Sequence, residues 1–372
     1  MDTLNLDRLV DTYASRWGEG TVERDQSGSF VFENYEILKT NRVFSAQVPK
    51  VYGGSEISHS QMVSFIRRLA HYSPSTALAL SMHQHLVSAA KYNDAHGKPG
   101  KKVLELVGQK EVVLVSTGAK DWLDSTGSVE RVDGGYKVSA IKPFASGSPA
   151  AAAMITSAPY EHPEEGWQVL HFPVSLSAEG VNLLGDWDSH GMRETGSQTI
   201  QLRSVFVPDE AVALIRARAG YHAAFNVILV VALPLIMAAY VGVAEKAAEM
   251  AIAFAQKGDT SDLKAMQVGR LRTQLTKAQI GLESMVRLAN DLEFSAELAV
   301  ASNMLCHKTL VAEAVVETVE QALKITGGAG FVRKFGLEKL LRDAHAAQFH
   351  PLPEDQQYLF CGRIQLGQEP VT

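Results

Sequence analysis

Cysteine is almost missing from this chain: Cys306 and Cys361 are its only two among 372 residues. They share no paired spacing, which leaves no basis for a disulfide framework or a thiolate metal site. A Ser-His-Asp arrangement, metal-ligand spacing and a glycine-rich phosphate loop are lacking as well, and this sets aside serine-type hydrolysis, metal catalysis and P-loop chemistry. There is no excess of basic residues. The formal net charge of -6 offers nothing to nucleic acid or to an anionic membrane. The opening residues Met1 to Asp7 are acidic and carry no basic region followed by an apolar one, so no secretory signal is read and a cytoplasmic protein is expected. Long hydrophobic runs are scarce too. The exception, Val227 to Ala244, is uncharged and at the lower limit for a membrane span. Pro234 in its middle, the amphipathic Glu245-Lys246-Ala247-Ala248-Glu249 after it and the want of flanking basic clusters favour a buried core or oligomer-interface helix, with no membrane as partner.

What is present is ordinary for a globular protein: 46% hydrophobic and 20% charged residues, in a chain long enough for two or three structural units. Up to about Val107 the pattern is helical. Ser58 to Tyr72 places Met62, Val63, Phe65, Ile66 and Leu69 on one stripe, and Ser75 to Ala90 forms a second helix. From Glu111 the character changes. The apolar run Val112 to Val115, the turn Asp133-Gly134-Gly135 and the alternating Tyr136 to Ile141 read together as paired antiparallel strands. Ala153 to Ser157, Gln168 to Phe172 and Thr199 to Val207 are further strands. Helices return with Ile228 to Lys257, Asp262 to Ala301 and Lys308 to Ile325. The expected fold class is α+β: an N-terminal helical domain over 1-108, a middle β domain over 109-211 and a C-terminal four-helix bundle over 212-372.

Four stretches follow one another along the chain: Val48-Pro49 to Tyr52-Gly53-Gly54; Asp133-Gly134-Gly135-Tyr136 leading to Lys142; Gly191-Met192-Arg193 through Val205-Phe206-Val207-Pro208; and Gly327-Gly328-Ala329-Gly330 through Arg342-Asp343-Ala344. In that order and at that spacing the chain resembles the acyl-CoA dehydrogenase superfamily of flavoproteins. The resemblance implies a flavin between the β domain and the bundle, FAD by the family's habit with reduced FMN as the alternative, in a homodimer or homotetramer. It carries flavin contacts to Val115 and Ser116 on the strand Leu114-Val115-Ser116-Thr117. It also carries them to Phe144 and Ser146, beside the ring, and to the glycine-rich Gly327 and Gly328. Fixed donors of this kind tune a flavin while the protein excludes side reactions.

The family's chemistry needs a carboxylate base, yet the segment expected to hold it reads Gln348-Phe349-His350-Pro351-Leu352-Pro353, with Pro351 at the base position. The alternative position, at the start of the apolar helix, holds Ala232 and Leu233. The arginine fork the family uses on the FAD pyrophosphate is missing from Gln256 to Leu263. The expected function is therefore a flavin-dependent oxidoreductase, acyl-CoA dehydrogenase-like but without the usual glutamate, acting on a small-molecule or acyl-CoA substrate. His350, Glu354 or Asp355 would act as a displaced base. The alternative is a two-component flavin monooxygenase that uses O2 and reduced flavin from a partner reductase, needs no base, and is supported by histidine donors, for which His85 and His350 are the candidates. His83 and His85, two apart on a helix, cannot both face one way. A non-catalytic scaffold of the same fold is the third reading.

Overall fold

The structure is a computed structural model and describes residues 4–117, 121–258 and 261–371. Asp259 and Thr260, in the stretch where the pyrophosphate arginine was sought, lie outside the described residues.

The N-terminal part is a cluster of helices: α1 Leu6–Thr12, α2 Ala14–Trp17, α3 Thr21–Ser27, α4 Phe32–Thr40, α5 His59–Leu69, α6 Pro74–Ala95 and α7 Lys101–Lys110. Ser58 caps α5 through a capping box with Gln61, and Pro74 starts α6 where a missing N–H costs nothing. Gly54 is required at its turn, because a Cβ there would stand 2.0 Å from the Val48 carbonyl oxygen. The loop between α4 and α5 thus owes its Gly-Gly pair to close backbone approach.

Among the described residues eight strands follow: β1 Leu114–Ser116, β2 Ser128–Val132, β3 Gly135–Ala145, β4 Ala153–His162, β5 Gly166–Ser175, β6 Val181–Leu183, β7 Gln198–Pro208 and β8 Leu214–Ala217. They form two four-stranded sheets, ordered β1-β4-β5-β8 and β2-β3-β7-β6, whose inner faces share a core of Val138, Met154, Leu170, Phe172, Ile200 and Leu202. The pairing differs from the expectation. β1 does not pair with β3: it runs parallel to β4 in the other sheet, and the partner of β3 across the Asp133-Gly134 turn is β2. A short continuous apolar run and a half-exposed alternating one belong to different environments, and here to different sheets. β8 also lies past residue 211, so the first sheet is completed by residues the sequence assigned to the bundle.

Among the described residues of the C-terminal part the long helices are α8 Ala224–Gln256, α9 Asp262–Ala289 and α10 Leu298–Thr326. These are followed by α11 Gly328–Phe331, α12 Leu337–His345 and α13 Glu354–Gln365. The single helix expected from Asp262 to Ala301 is two helices. Asn290, Asp291 and Leu292 adopt left-handed backbone conformations, and Asp291 accepts the Ser60 N–H at 2.7 Å, docking the break on α5. Asn and Asp tolerate this region without glycine, so no Gly or Pro marks the break.

α8 is long and apolar enough to cross a membrane, but 94% of its most apolar window is buried inside the protein. α5, α6, α9, α10 and α12 all pack on it, which makes it the core helix. Pro234 removes one of its hydrogen bonds, and in that turn the Val231 carbonyl accepts from His59 Nε2 at 2.9 Å.

Farther along α8, Glu245 receives Arg67, His71 (3.0 Å) and Gln279 (2.5 Å). Burial alone would raise its pKa, but these donors, His71 and Arg67 foremost, hold it at about 2. A depressed carboxylate stabilises the fold above its unfolded value, about 4.3, and that contribution is lost as pH falls through the folded value. Glu245→Gln should therefore lower the thermal midpoint at pH 7 and match the wild type near pH 2. A gap that persists undiminished at pH 2 would contradict this assignment.

Candidate functional site

The site is built where α6 meets the free edge of β1. Among the described residues β1 has a neighbour on one side only, so alternate backbone amides face outward. One of them, Leu114 N–H, donates to His83 Nδ1 at 3.0 Å, while His83 Nε2 donates to the Phe44 carbonyl at 2.9 Å. His83 is thus a satisfied core residue, with burial lowering its pKa to about 4. By strand alternation Ser116 presents its amide on the same side, and its hydroxyl lies 3.4 Å from His85 Nε2. Burial lowers the His85 pKa to about 4 as well, so its imidazole is neutral. Of the two, His83 is the one with a structural role, tied to Phe44 and Leu114, while His85 reaches Ser116 farther along the same strand.

The turn after β3 lies beside this edge. Gly147, at φ +82, has its α-carbon face 3.0 Å from Tyr35 Oη and 3.8 Å from Val115 Cγ1, measured from where a Cβ would stand. Next to it Ser146 Oγ and Ser197 Oγ are 2.7 Å apart, and Ser197 is in turn 2.7 Å from Thr195 Oγ1. Phe144 is not a core residue. It stands 54% exposed at φ 62, touching Trp187 edge-on at a centroid distance of 6.2 Å. Ser116 and His85 are thus in contact, and Ser146 adjoins the Gly147 that approaches Val115, with Phe144 exposed two residues before Ser146. An outward strand amide, hydroxyls, a neutral imidazole and an exposed aromatic match the polar edge and flat face of an isoalloxazine ring, so the residues present fit a flavin.

A second cluster gathers on the segment after α12. His350 Nε2 lies 2.6 Å from the hydroxyl of Tyr240 in α8. Burial, together with the nearby Lys308, lowers the His350 pKa to about 3. Lys308, only 1% exposed, donates to the carbonyls of Gln348 (3.3 Å) and Leu352 (3.0 Å) on either side of the histidine. Burial pulls its pKa down to about 8 against the pull of Glu354. Neither Tyr240 nor Lys308 was singled out from the sequence. Tyr240 hides inside an apolar run. Lys308 did leave a signal, a charged residue on the buried stripe of α10 between Met304 and Val311.

Glu354 lies beside this cluster: it is exposed, bonds Tyr358 Oη at 2.9 Å, and lines a groove of about 360 Å³ with Lys308, Gln348, Thr309 and Glu313. Asp355 is exposed beside it. Gly327 and Gly328 stand open: a Cβ on either would meet nothing within 4 Å. The motif glycine Gly191 has a structural cause: its backbone lies against α12, where a Cβ would meet the Arg342 carbonyl oxygen at 2.1 Å. Among the described residues no group of three or more His, Cys, Asp or Glu could hold a metal ion.

Comparison with known proteins agrees with this architecture. Residues 219–350 match the family model "Acyl-CoA dehydrogenase, C-terminal domain". An amino sugar nitrososynthase of Streptomyces peucetius is 25% identical, covering 96% of this chain and 92% of its own. A putative acyl-CoA dehydrogenase of Bacillus subtilis is 24% identical, over 93% of this chain and 92% of its own. The structure of KijD3 in complex with FMN and a dTDP-linked 3-amino-4-keto sugar superposes with a TM-score of 0.87 at 22% identity, covering 97% and 94% of the two chains. The order α, β, α, the two sheets and these similarities lead to one conclusion: the chain has an acyl-CoA dehydrogenase-like fold, with residues 219–350 matching that family's C-terminal domain, and is a flavin-dependent oxidoreductase.

Proposed function

We propose that the protein is a two-component flavin monooxygenase that takes reduced FMN from a separate reductase and oxygenates the amino nitrogen of a small molecule. The observation that carries this reading is His350. A neutral imidazole tied to Tyr240 stands in the segment where a dehydrogenase would hold its carboxylate, and it can donate a hydrogen bond but is too weak a base to remove an α-proton. The nearest carboxylate in sequence, Glu354, is exposed and bonded to Tyr358, which leaves proton abstraction without a base. The choice of an amine follows the nitrososynthase relative and the amino-sugar complex.

Bound reduced flavin supplies two electrons and the site of oxygen activation, with one atom of O2 going to substrate and the other to water. The chain's own residues would then bind, orient and protect. The Ser116 amide and the Ser146 hydroxyl would hold the polar edge of the ring, Phe144 would cover its face, and His85 and His350 would donate toward the oxygen. Excluding water keeps reducing equivalents from leaking away as peroxide.

FMN is favoured over FAD because an ADP half would need a cationic cradle. Gly327 and Gly328 stand open, and no guanidinium occurs between Gln256 and Leu263. Exposed Ile280, Leu310 and Phe331 on the C-terminal helices, with Val332 just after α11, support a homodimer or homotetramer. Equilibrium binding of reduced FMN and FAD, with anaerobic addition of an acyl-CoA panel to the oxidised flavin complex, tests the reading. Tighter FMN binding and no bleaching by any acyl-CoA are expected; bleaching would return the protein to the dehydrogenases.

A further inference from the structure

Tyr240 is fully buried in the middle of α8, in a stretch otherwise made of Ala, Val, Leu, Ile, Met, Pro and Gly. Its hydroxyl has one partner among the described residues, His350 Nε2. A buried phenol needs somewhere to place its proton. With a single partner, the arrangement that leaves no buried donor unsatisfied has the O–H donating and Nε2 accepting, because the phenol is fully buried whereas His350 Nδ1 is not among the buried unpartnered atoms. We propose that Tyr240 is a positioning residue that fixes His350 as the neutral Nδ1–H tautomer, so that the ring offers a donor on its far side. This rests on the reading of His350 as a donor in the proposed oxygenation.

The surroundings hold the pair in that state. Burial, with Asp343 behind it, keeps the Tyr240 phenol protonated, its pKa well above the ordinary value. Lys308 reaches in from α10 and ties the Gln348 and Leu352 carbonyls, which fixes the backbone on both sides of His350. Its ammonium also disfavours a second proton on the ring. Tyr240 from α8 and Lys308 from α10 are the titratable groups facing the histidine, with Asp343 of α12 acting on Tyr240 and Glu354 of α13 acting on Lys308. His350 Nδ1 has no protein partner among the described residues, so this is the atom left for a ligand.

Nitrogen NMR of the flavin-free, full-length protein labelled with ¹⁵N-histidine reads the tautomer directly, with His350→Gln used to assign the signal. The expected result is a protonated Nδ1 and an unprotonated Nε2, unchanged between pH 6 and 8. In Tyr240→Phe the preference should collapse to a mixture. In the reductase-coupled assay the same variant should raise peroxide release several-fold with little change in KM. A protonated Nε2 in the wild type, or an unaltered tautomer in Tyr240→Phe, would overturn the proposal. Should the variant not fold, the wild-type tautomer alone decides. Because the spectrum needs no flavin, the two readings separate: the expected tautomer without oxygenation of any amine sinks the functional reading alone, and the opposite tautomer with coupled oxygenation sinks this one alone.

Discussion

His350→Ala should leave FMN binding intact while cutting substrate oxygenation about a hundredfold to a thousandfold, the usual cost of removing one well-placed donor from a water-poor site. Reducing equivalents should still be consumed, because electron delivery belongs to the reductase, but they should appear as hydrogen peroxide. This partition separates a donor from a base. A lost base would stop turnover without leakage, whereas a lost donor uncouples it. The imidazole suits the first role because burial and Lys308 hold it neutral to about pH 3, leaving one N–H to give. Product formation within about twofold of wild type, with peroxide unchanged, would remove His350 from the site; a chromatographic product assay beside a peroxide assay checks both.

Asp343→Ala should destabilise the fold by about 3 to 5 kcal/mol, the magnitude expected when one partner of a buried ion pair is removed. Asp343 is 0% exposed. It accepts the Met192 N–H at 2.5 Å and Lys339 Nζ at 2.7 Å. Lys339 also reaches Glu194, 3.2 Å away and 1% exposed, which in turn takes Arg24 at 3.0 Å and Thr21 at 3.0 Å. One network therefore ties α3, the loop before β7 and α12. Burial opposes the charge on Lys339, but Asp343 and Glu194 outweigh it and hold the ammonium above its ordinary range. Removing Asp343 orphans the Met192 N–H and leaves Lys339 with Glu194 alone, which loosens α12 from the loop before β7. Thermal and urea midpoints should both fall. Asp209→Ala, which breaks an exposed pair with Arg131, should leave them unchanged; equal effects of the two would contradict the role given to the buried network.

The parts of the fold legible in the sequence were those with one periodicity and one environment. α5 and α6 carry apolar stripes, β4, β5 and β7 alternate or run apolar, and α8 is apolar all round. What was not legible depends on neighbours far away in the chain. β2, Ser128–Val132, is mostly exposed and shows no apolar pattern, so its existence rests on β3. β1 is three residues long and shows no alternation of its own from which its partner β4 could be read. The break after α9 is made by Asn290 and Asp291 in left-handed conformations, a choice no glycine announces.

At the site, the ordered motifs led to the α6 and β1 edge and to the loss of the base. They could not show that His83 would be spent on Phe44 and Leu114 while His85 meets Ser116. Nor could they reveal Tyr240, since a tyrosine inside an apolar run reads as packing until the residue that shares its hydrogen bond is known.

The most direct test of the monooxygenase assignment is mass spectrometry of product formed under ¹⁸O2, with reduced FMN supplied by a reductase and a panel of small amines that includes amino sugar nucleotides. A product carrying one ¹⁸O atom on nitrogen is expected. No label in any amine, together with desaturation of an acyl-CoA by the same protein, would contradict the assignment.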